Sequence, residues 1–302
     1  MPADDFYVTQ YFRIIWSVPL VIALIQVILL STVFSNETPV FLREQGREEE
    51  LLVVMKKFYR GMEVRRRCDA LCQGDKTEGN QAAQEVTIKE TFFDPEIRGA
   101  SWVGFMLVTV QQLTGVNAIL FYSAQLFGSD DGSGLSEAEA SCVINWANFI
   151  AAGAGACMLG YFGRRTLMVG SQFFCIIGMF GMYLFQVLVP NTAMLYVLTV
   201  AFIFGFEFGP GPIVWLYLSE ICNDQATSVN TVANWAWTLV ISISTLPLFD
   251  SLDGNVWLIF GCTNILGFIY VLIVMKETKG VSPANCKRLY YKSENQKYKP
   301  VD

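Results

Sequence analysis

Two adjacent glutamines and a nearby asparagine stand in Gln111-Gln112-Leu113-Thr114-Gly115-Val116-Asn117-Ala118, inside a stretch that otherwise reads as a membrane-spanning helix. An unpaired amide in hydrocarbon costs several kcal/mol, so amides at that depth either pair between helices or line a water-filled cavity. A carboxamide donates and accepts at once, which suits a neutral polyhydroxyl ligand better than an ion. On an ideal helix Gln111, Gly115, Ala118 and Tyr122 share a face, whereas Gln112 and Asn117 lie about 140° apart. For all three amides to face one cavity the helix must open near Thr114-Gly115, which a glycine permits.

A second chemical segment is Phe206-Glu207-Phe208-Gly209-Pro210-Gly211-Pro212-Ile213-Val214-Trp215. Two prolines and two glycines in four residues break an α-helix, and broken membrane helices mark transporter binding sites. Glu207 is the acid placed deep in a span, where it must be paired, protonated or facing water. Trp215 offers a flat apolar face for a ring, or an interfacial anchor. Asn148 and Asn234 stand in further apolar stretches and are open to either role, site or interhelical glue. Gly153, Gly155 and Gly160 read as small packing positions.

The elements that must carry these residues are membrane helices. The chain is 53% hydrophobic and 16% charged, with its charges clustered between long apolar runs. Seven stretches reach the roughly 20 residues a crossing needs: 14–34, 101–126, 142–162, 166–188, 193–218, 229–249 and 256–275. The first follows Asp4 and Asp5 rather than a basic cluster, and it is too long for a signal-peptide core. With the N-terminus outside, the inner segments 35–100, 163–165, 219–228 and 276–302 hold every Lys and Arg except Arg13. The outer loops then carry Asp130, Asp131, Glu137, Glu139, Asp250 and Asp253. That asymmetry sets the N-terminus outside and the C-terminus in the cytosol.

Between the first two spans, Glu37-Thr38-Pro39 ends a helix, and 43–60 reads as an amphipathic helix with Leu52, Met55, Lys56 and Tyr59 at helical spacing. Arg65-Arg66-Arg67 could touch anionic lipid, although a solvated helical domain is the plainer reading. Residues 74–84 read as a mobile polar stretch, and the tail after Lys276 as disordered. The net charge of −6 argues against a nucleic-acid partner. The absence of histidine removes the commonest general base and metal ligand, and no cofactor or metal is expected. Eight scattered cysteines, none in a CxxC pair, read as small hydrophobes.

Taken in order, these segments resemble the second half of a sugar porter of the major facilitator superfamily, the group that includes the facilitative hexose transporters. Gln111–Ser123 resembles the family's seventh-helix motif, Gly163-Arg164-Arg165-Thr166-Leu167 its loop between helices eight and nine, Glu207–Glu220 its tenth-helix motif, and Glu277-Thr278-Lys279-Gly280 the signature after helix twelve. Asn36-Glu37-Thr38-Pro39 loosely resembles the signature after helix six. The resemblance implies an all-α integral membrane protein: a major facilitator C-terminal six-helix bundle, one preceding transmembrane helix and a cytosolic helical insertion. Its parts would be 1–35, equivalent to family helix six, a linker domain at 36–99, the bundle at 100–275 and a cytosolic tail at 276–302.

Carried over by position, the resemblance implies that Gln111, Gln112, Asn117, Asn148, Glu207, Trp215 and Asn234 contact sugar. It implies gates at Phe121 and Tyr122 and at the flexible Gly209, Pro210, Gly211 and Pro212, and an inner charge cluster of Arg164, Arg165, Glu220 and Glu277. The implied partners are a small neutral sugar and the lipid bilayer. The chain departs from the family pattern at Gly160, where an acid is usual, and at Val214, where a proline is usual. Segment 222–228 is short and lacks the usual arginine, and helices one to five are missing. A weaker inner cluster, and a missing N-terminal half or a second copy as partner, are the corresponding expectations. The function expected is alternating-access transport of a hexose-like sugar by a chain truncated at its N-terminus. The alternatives are a transporter-like sensor or a non-transporting remnant. A seven-helix receptor fits poorly, with no Asp-Arg-Tyr after its third span and no Asn-Pro-x-x-Tyr in its last. No nucleophile–base pair suggests an enzyme.

Overall fold

The computed structural model describes residues 11–61, 63–64, 68, 87–127 and 136–292. Arg65–Arg67, the 74–84 stretch, Asp130, Asp131 and residues 293–302 lie outside them. The chain divides into two compact units, 1–85 and 86–302.

In the first unit, α1 (Tyr11–Thr32) is a run of apolar residues whose described side chains are all exposed, as a lipid-facing helix requires. Thr38 then caps α2 (Pro39–Glu44), its side chain accepting from the Phe41 N–H with proline at the first helical position. The expected single helix over 43–60 is corrected. Gly46 takes a positive φ of 68°, which ends α2 before α3 (Glu48–Phe58) starts. The face α3 buries is Leu51, Val54 and Met55, packed with Leu42, Val64 and Cys68, with Tyr59 at the edge. Leu52, expected on the apolar face, is exposed.

The second unit is all-helical among its described residues. Short α4 (Ile88–Phe93) opens on a Thr87/Glu90 capping box, whose hydrogen bonds hold the Glu90 carboxyl below its ordinary range. Thr91 and Phe92 accept from Ser101 and Trp102, which fixes α4 on α5 (Arg98–Gln112). There follow α6 (Val116–Phe127), α7 (Glu137–Tyr161), α8 (Arg164–Tyr183, extended by a π turn to Leu188), α9 (Thr192–Phe208), α10 (Pro210–Ile221), α11 (Asp224–Leu252), α12 (Val256–Val274) and α13 (Pro283–Arg288).

Six described helical runs are long and apolar enough to cross a membrane. One of them, Asp224–Val274, has 51 residues. At about 1.5 Å per residue it is more than twice a bilayer core, so it makes two crossings, joined by the Asp253–Asn255 turn. The seven expected spans are thus all present as helices.

Two apolar cores stack along the bundle. One gathers Ile119, Ile144, Met179, Phe202 and Trp257, the other Leu107, Met168, Ile213, Tyr217 and Val271. Of the three small positions expected in α7, Gly155 alone packs closely: a Cβ there would lie 2.2 Å from the Glu207 carbonyl oxygen. Gly153 and Gly160 face open space, because their side of α7 turns away from the bundle. The tail is also corrected. Through Tyr291 it is ordered, because Tyr290 Oη bonds Tyr217 Oη at 2.6 Å and accepts from the Lys276 N–H at 2.9 Å.

Candidate functional site

The α5–α6 helix opens where the sequence suggested. Gly115 takes φ of +87°, a conformation that costs a residue with a Cβ about 1–2 kcal/mol. A Cβ there would also sit 2.8 Å from the Phe260 ring. Thr114 folds its hydroxyl back onto the Gln111 carbonyl at 2.6 Å. The opening turns Asn117 back toward the preceding segment, so that its Nδ2 donates to Gln112 Oε1. An unbroken helix would hold those two side chains apart.

The second break falls between α9 and α10. Neither Pro210 nor Pro212 has an N–H to donate, and Gly209 lies at φ −137° and ψ −86°. Gly209 also lets the chain pass α8 closely, since a Cβ would lie 2.4 Å from that of Ser171.

A relay of carboxamides joins the two breaks. Asn117 donates to Gln112; Gln112 Nε2 donates to Asn234 Oδ1 at 2.9 Å; Asn234 Nδ2 donates to Gln111 Oε1 at 2.7 Å. Gln111 Nε2 then donates to the Pro210 and Gly211 carbonyls at 2.7 and 3.1 Å. Gln111, Gln112 and Asn234 are buried. The two roles open to such amides divide along this relay. Gln111 commits its oxygen and its nitrogen to the protein, and so it clamps α5 and α11 to the start of α10. Asn117, at the far end, keeps an Oδ1 that makes no hydrogen bond among the described residues.

Beside the relay lies a cavity of about 370 Å³, within the usual small-molecule range. Gln111, Gln112, Asn117, Glu207, Trp215 and Asn234 all line it, as do Gly211 and Pro212. The Glu207 carboxylate, on the last turn of α9, makes no hydrogen bond or ion pair among the described residues. Trp215 is 40% exposed and presents its ring from α10. Asn148 is not in the lining; it stands one turn before Ala152, which is, and its buried Oδ1 has no partner among the described residues. Apolar lining by Val116, Leu120 and Phe206 was not anticipated, because nothing in an apolar residue type separates cavity from core. Phe121 is exposed, while Tyr122 sits at a kink and donates to the Ser242 carbonyl at 2.6 Å.

Arg164, Arg165, Glu220 and Glu277 do come together, at the start of α8. The Glu277 carboxylate accepts from the Arg164 and Arg165 N–H groups at 2.8 and 3.1 Å, an anion on a helix N-terminus. Gly163 makes room for it: a Cβ there would lie 2.2 Å from the carboxylate. Arg164 Nη2 pairs with Glu220 Oε1 at 2.9 Å, and Thr278 Oγ1 donates to the other Glu220 oxygen. At Gly160, where an acid is usual, Lys279 Nζ instead donates to the Gly160 and Tyr161 carbonyls at 3.1 and 2.7 Å. That contact places a cation on the C-terminus of α7.

Residues 4–290 match the family model described as Sugar (and other) transporter. The chain belongs to this sugar transporter family. Among the family's curated members, it is 31% identical over 225 residues to facilitated trehalose transporter Tret1 of Apis mellifera ligustica, covering 70% of this chain and 44% of that one. It is 25% identical over 280 residues to hexose transporter 1 of Plasmodium falciparum, covering 89% and 55%. A solved structure of the major facilitator proton:xylose symporter XylE bound to 6-bromo-6-deoxy-D-glucose superposes with a TM-score of 0.70 at 21% identity, covering 89% of this chain and 57% of that one. An inward-open structure of XylE from E. coli gives 0.60 at 20%. The fold is therefore the major facilitator fold, and the protein is an integral multi-pass membrane protein. The chain spans about half the length of the curated relatives it matches.

Proposed function

We propose that this chain supplies one half of a carrier that moves a small neutral sugar, hexose-like in size, by alternating access. The observation that carries this reading is the cavity between the two helix breaks, lined by carboxamides with the Trp215 ring on one side. Sugar hydroxyls would exchange water for Asn117 Oδ1 and for the second N–H groups and lone pairs that the relay leaves to Gln112 and Asn234, with Trp215 covering the ring. Bound sugar would lower the cost of closing the site and shift the population toward an occluded state.

The cavity is open, and a second half must close it: an N-terminal half or a second copy of the chain. The charge asymmetry supports an N-terminus outside and a cytosolic Arg164–Glu277 cluster, and the plasma membrane is the membrane proposed. The gates would be Phe121 and Tyr122 on the outer side and the flexible 209–212 segment within α9–α10. The Arg164–Glu220–Glu277 cluster would steady the inner side. The names of the relatives, which carry hexose, trehalose and xylose, support a sugar as the substrate class.

The test is binding and uptake of labelled glucose, xylose and trehalose by the chain in lipid vesicles, alone and joined to an N-terminal half. Saturable binding that Trp215→Ala weakens at normal expression supports the reading. No saturable binding of any of the three sugars in either form overturns it.

A further inference from the structure

The amides of the site owe their positions to the α5–α6 break, and that break is held from a helix that lines none of the cavity. α12 is apolar for most of its length, yet it carries Thr263 and Asn264 side by side. Opening a helix at 113–115 leaves the carbonyls of Leu113 and Thr114 without the N–H groups that a continuous helix would bring. Among the described residues no backbone donor reaches either one. Thr263 Oγ1, its one hydrogen shared with the Phe260 carbonyl at 2.9 Å, lies closer to the Leu113 carbonyl at 2.7 Å, and Asn264 Nδ2 donates to the Thr114 carbonyl at 3.1 Å.

The same face of α12 fits the segment on either side of these bonds. The Phe260 ring fills the space a side chain at 115 would take, and Gly267 lies against Val110, where a Cβ would come within 2.7 Å. Asn264 is 1% exposed; its amide nitrogen is committed to this contact and to the Phe260 carbonyl of its own helix at 2.7 Å, while its Oδ1 has no partner among the described residues. Both freed carbonyls lie where water is scarce, and losing either donor would leave an uncompensated acceptor. Such a segment relaxes by closing the break or by tilting, and either motion carries Asn117 away from Gln112.

We propose that Thr263 and Asn264 are positioning residues for sugar binding: they hold the break open at the angle that aims Gln112 and Asn117 into one cavity. This rests on the reading of that cavity as a sugar site. The experiment uses the full chain in lipid nanodiscs with three variants: Thr263→Val, which keeps the shape of Thr and removes the donor, Asn264→Leu, and the conservative Thr263→Ser. Amide hydrogen exchange over 111–119 is measured against the α9–α10 break as an internal control, together with glucose, xylose and trehalose affinity and the melting temperature.

The expected result is exchange about 10-fold faster at 111–119 in Thr263→Val and Asn264→Leu, unchanged exchange at the control break, and sugar affinity about 10-fold weaker. Thr263→Ser restores both. Exchange at 111–119 equal to that of the parent chain overturns the inference, whatever the sugar does. So does a lowered melting temperature with unchanged affinity, since the two residues would then serve packing alone. A parent chain that binds none of the sugars, alone or joined to an N-terminal half, overturns the cavity's reading instead, while the exchange data separately report whether α12 holds the break. Should Asn264→Leu not be recovered, the isosteric Thr263→Val carries the same readouts.

Discussion

The two helix breaks that flank the cavity meet the same problem, exposed backbone in an apolar setting, by different means. At 209–212 the break is written locally: Pro210 and Pro212 cannot donate, whatever surrounds them. At 113–115 one glycine permits the break but does not compel it, and the freed carbonyls depend on a helix 150 positions away. Gln111 ties the two together, clamping the first residues of α10 from the last turn of α5. A locally encoded break should tolerate the loss of its neighbours, whereas a break held from a distance should not.

The largest effect should come from Gly115→Ala. Positive φ costs about 1–2 kcal/mol and the clash with Phe260 about 1–3 kcal/mol more, so thermal unfolding should show a loss of roughly 2–5 kcal/mol. Gly209→Ala should cost about 1–3 kcal/mol through its clash with Ser171. Adding Ser171→Gly should recover part of that loss, whereas no partner change should recover the positive-φ cost of Gly115→Ala. Equal rescue at both glycines would erase the distinction between the breaks.

Next comes Gln111→Ala, which removes the link between them. Asn234 Nδ2 loses its buried acceptor, at about 1–3 kcal/mol. If that loss falls on the bound state, sugar affinity drops roughly tenfold for each 1.4 kcal/mol. Trp215→Ala should weaken sugar binding with little change in melting temperature, because the ring is partly exposed. Equal affinity in both variants would detach the cavity from its proposed ligand.

Glu277→Gln, remote from both breaks, sharpens the contrast as a control. It keeps one oxygen acceptor near the α8 N-terminus, turns the other into an NH2 that cannot accept, and removes the charge, a loss of about 1 kcal/mol. The loss should shrink only modestly as salt is raised, because Glu277 is half-buried and such charges are screened less than exposed ones. Smallest of all should be Pro212→Ala, at about 0.5 kcal/mol or less, since Gly209 and Pro210 already hold that break. A large effect there would mean that the α9–α10 break is less local than its sequence indicates.

How far the molecule could be read in advance follows the same division. The spans and both breaks were legible, because apolar length and Gly/Pro chemistry are properties of short segments, whereas the gathering of Arg164, Glu220 and Glu277 was implied only by the resemblance of ordered motifs to a family. The buried face of α3 was misplaced by one residue, from Leu51 to Leu52, because both sets satisfy helical spacing and only packing against Leu42, Val64 and Cys68 selects between them. The tail was misjudged because the partner of Tyr290, Tyr217, lies 73 positions away. Lys279 at the end of α7, and Thr263 and Asn264 behind the break, were missed for the same reason, although two adjacent polar residues in an apolar span are a signal that could have been followed.

By itself, the sequence determined that this chain lives in a membrane, that two of its helices must or can open, and that carboxamides stand at the depth of those openings. These are covalent and local facts: hydropathy, a missing N–H, a missing Cβ. Only the tertiary structure decided which amides spend their hydrogen bonds on each other and which face the cavity, and that Gln111 serves as a clamp. It also decided what satisfies the opened backbone at 113–114. Those outcomes depend on donors and acceptors that meet across 99 to 150 positions of chain, and no local pattern fixes such a meeting.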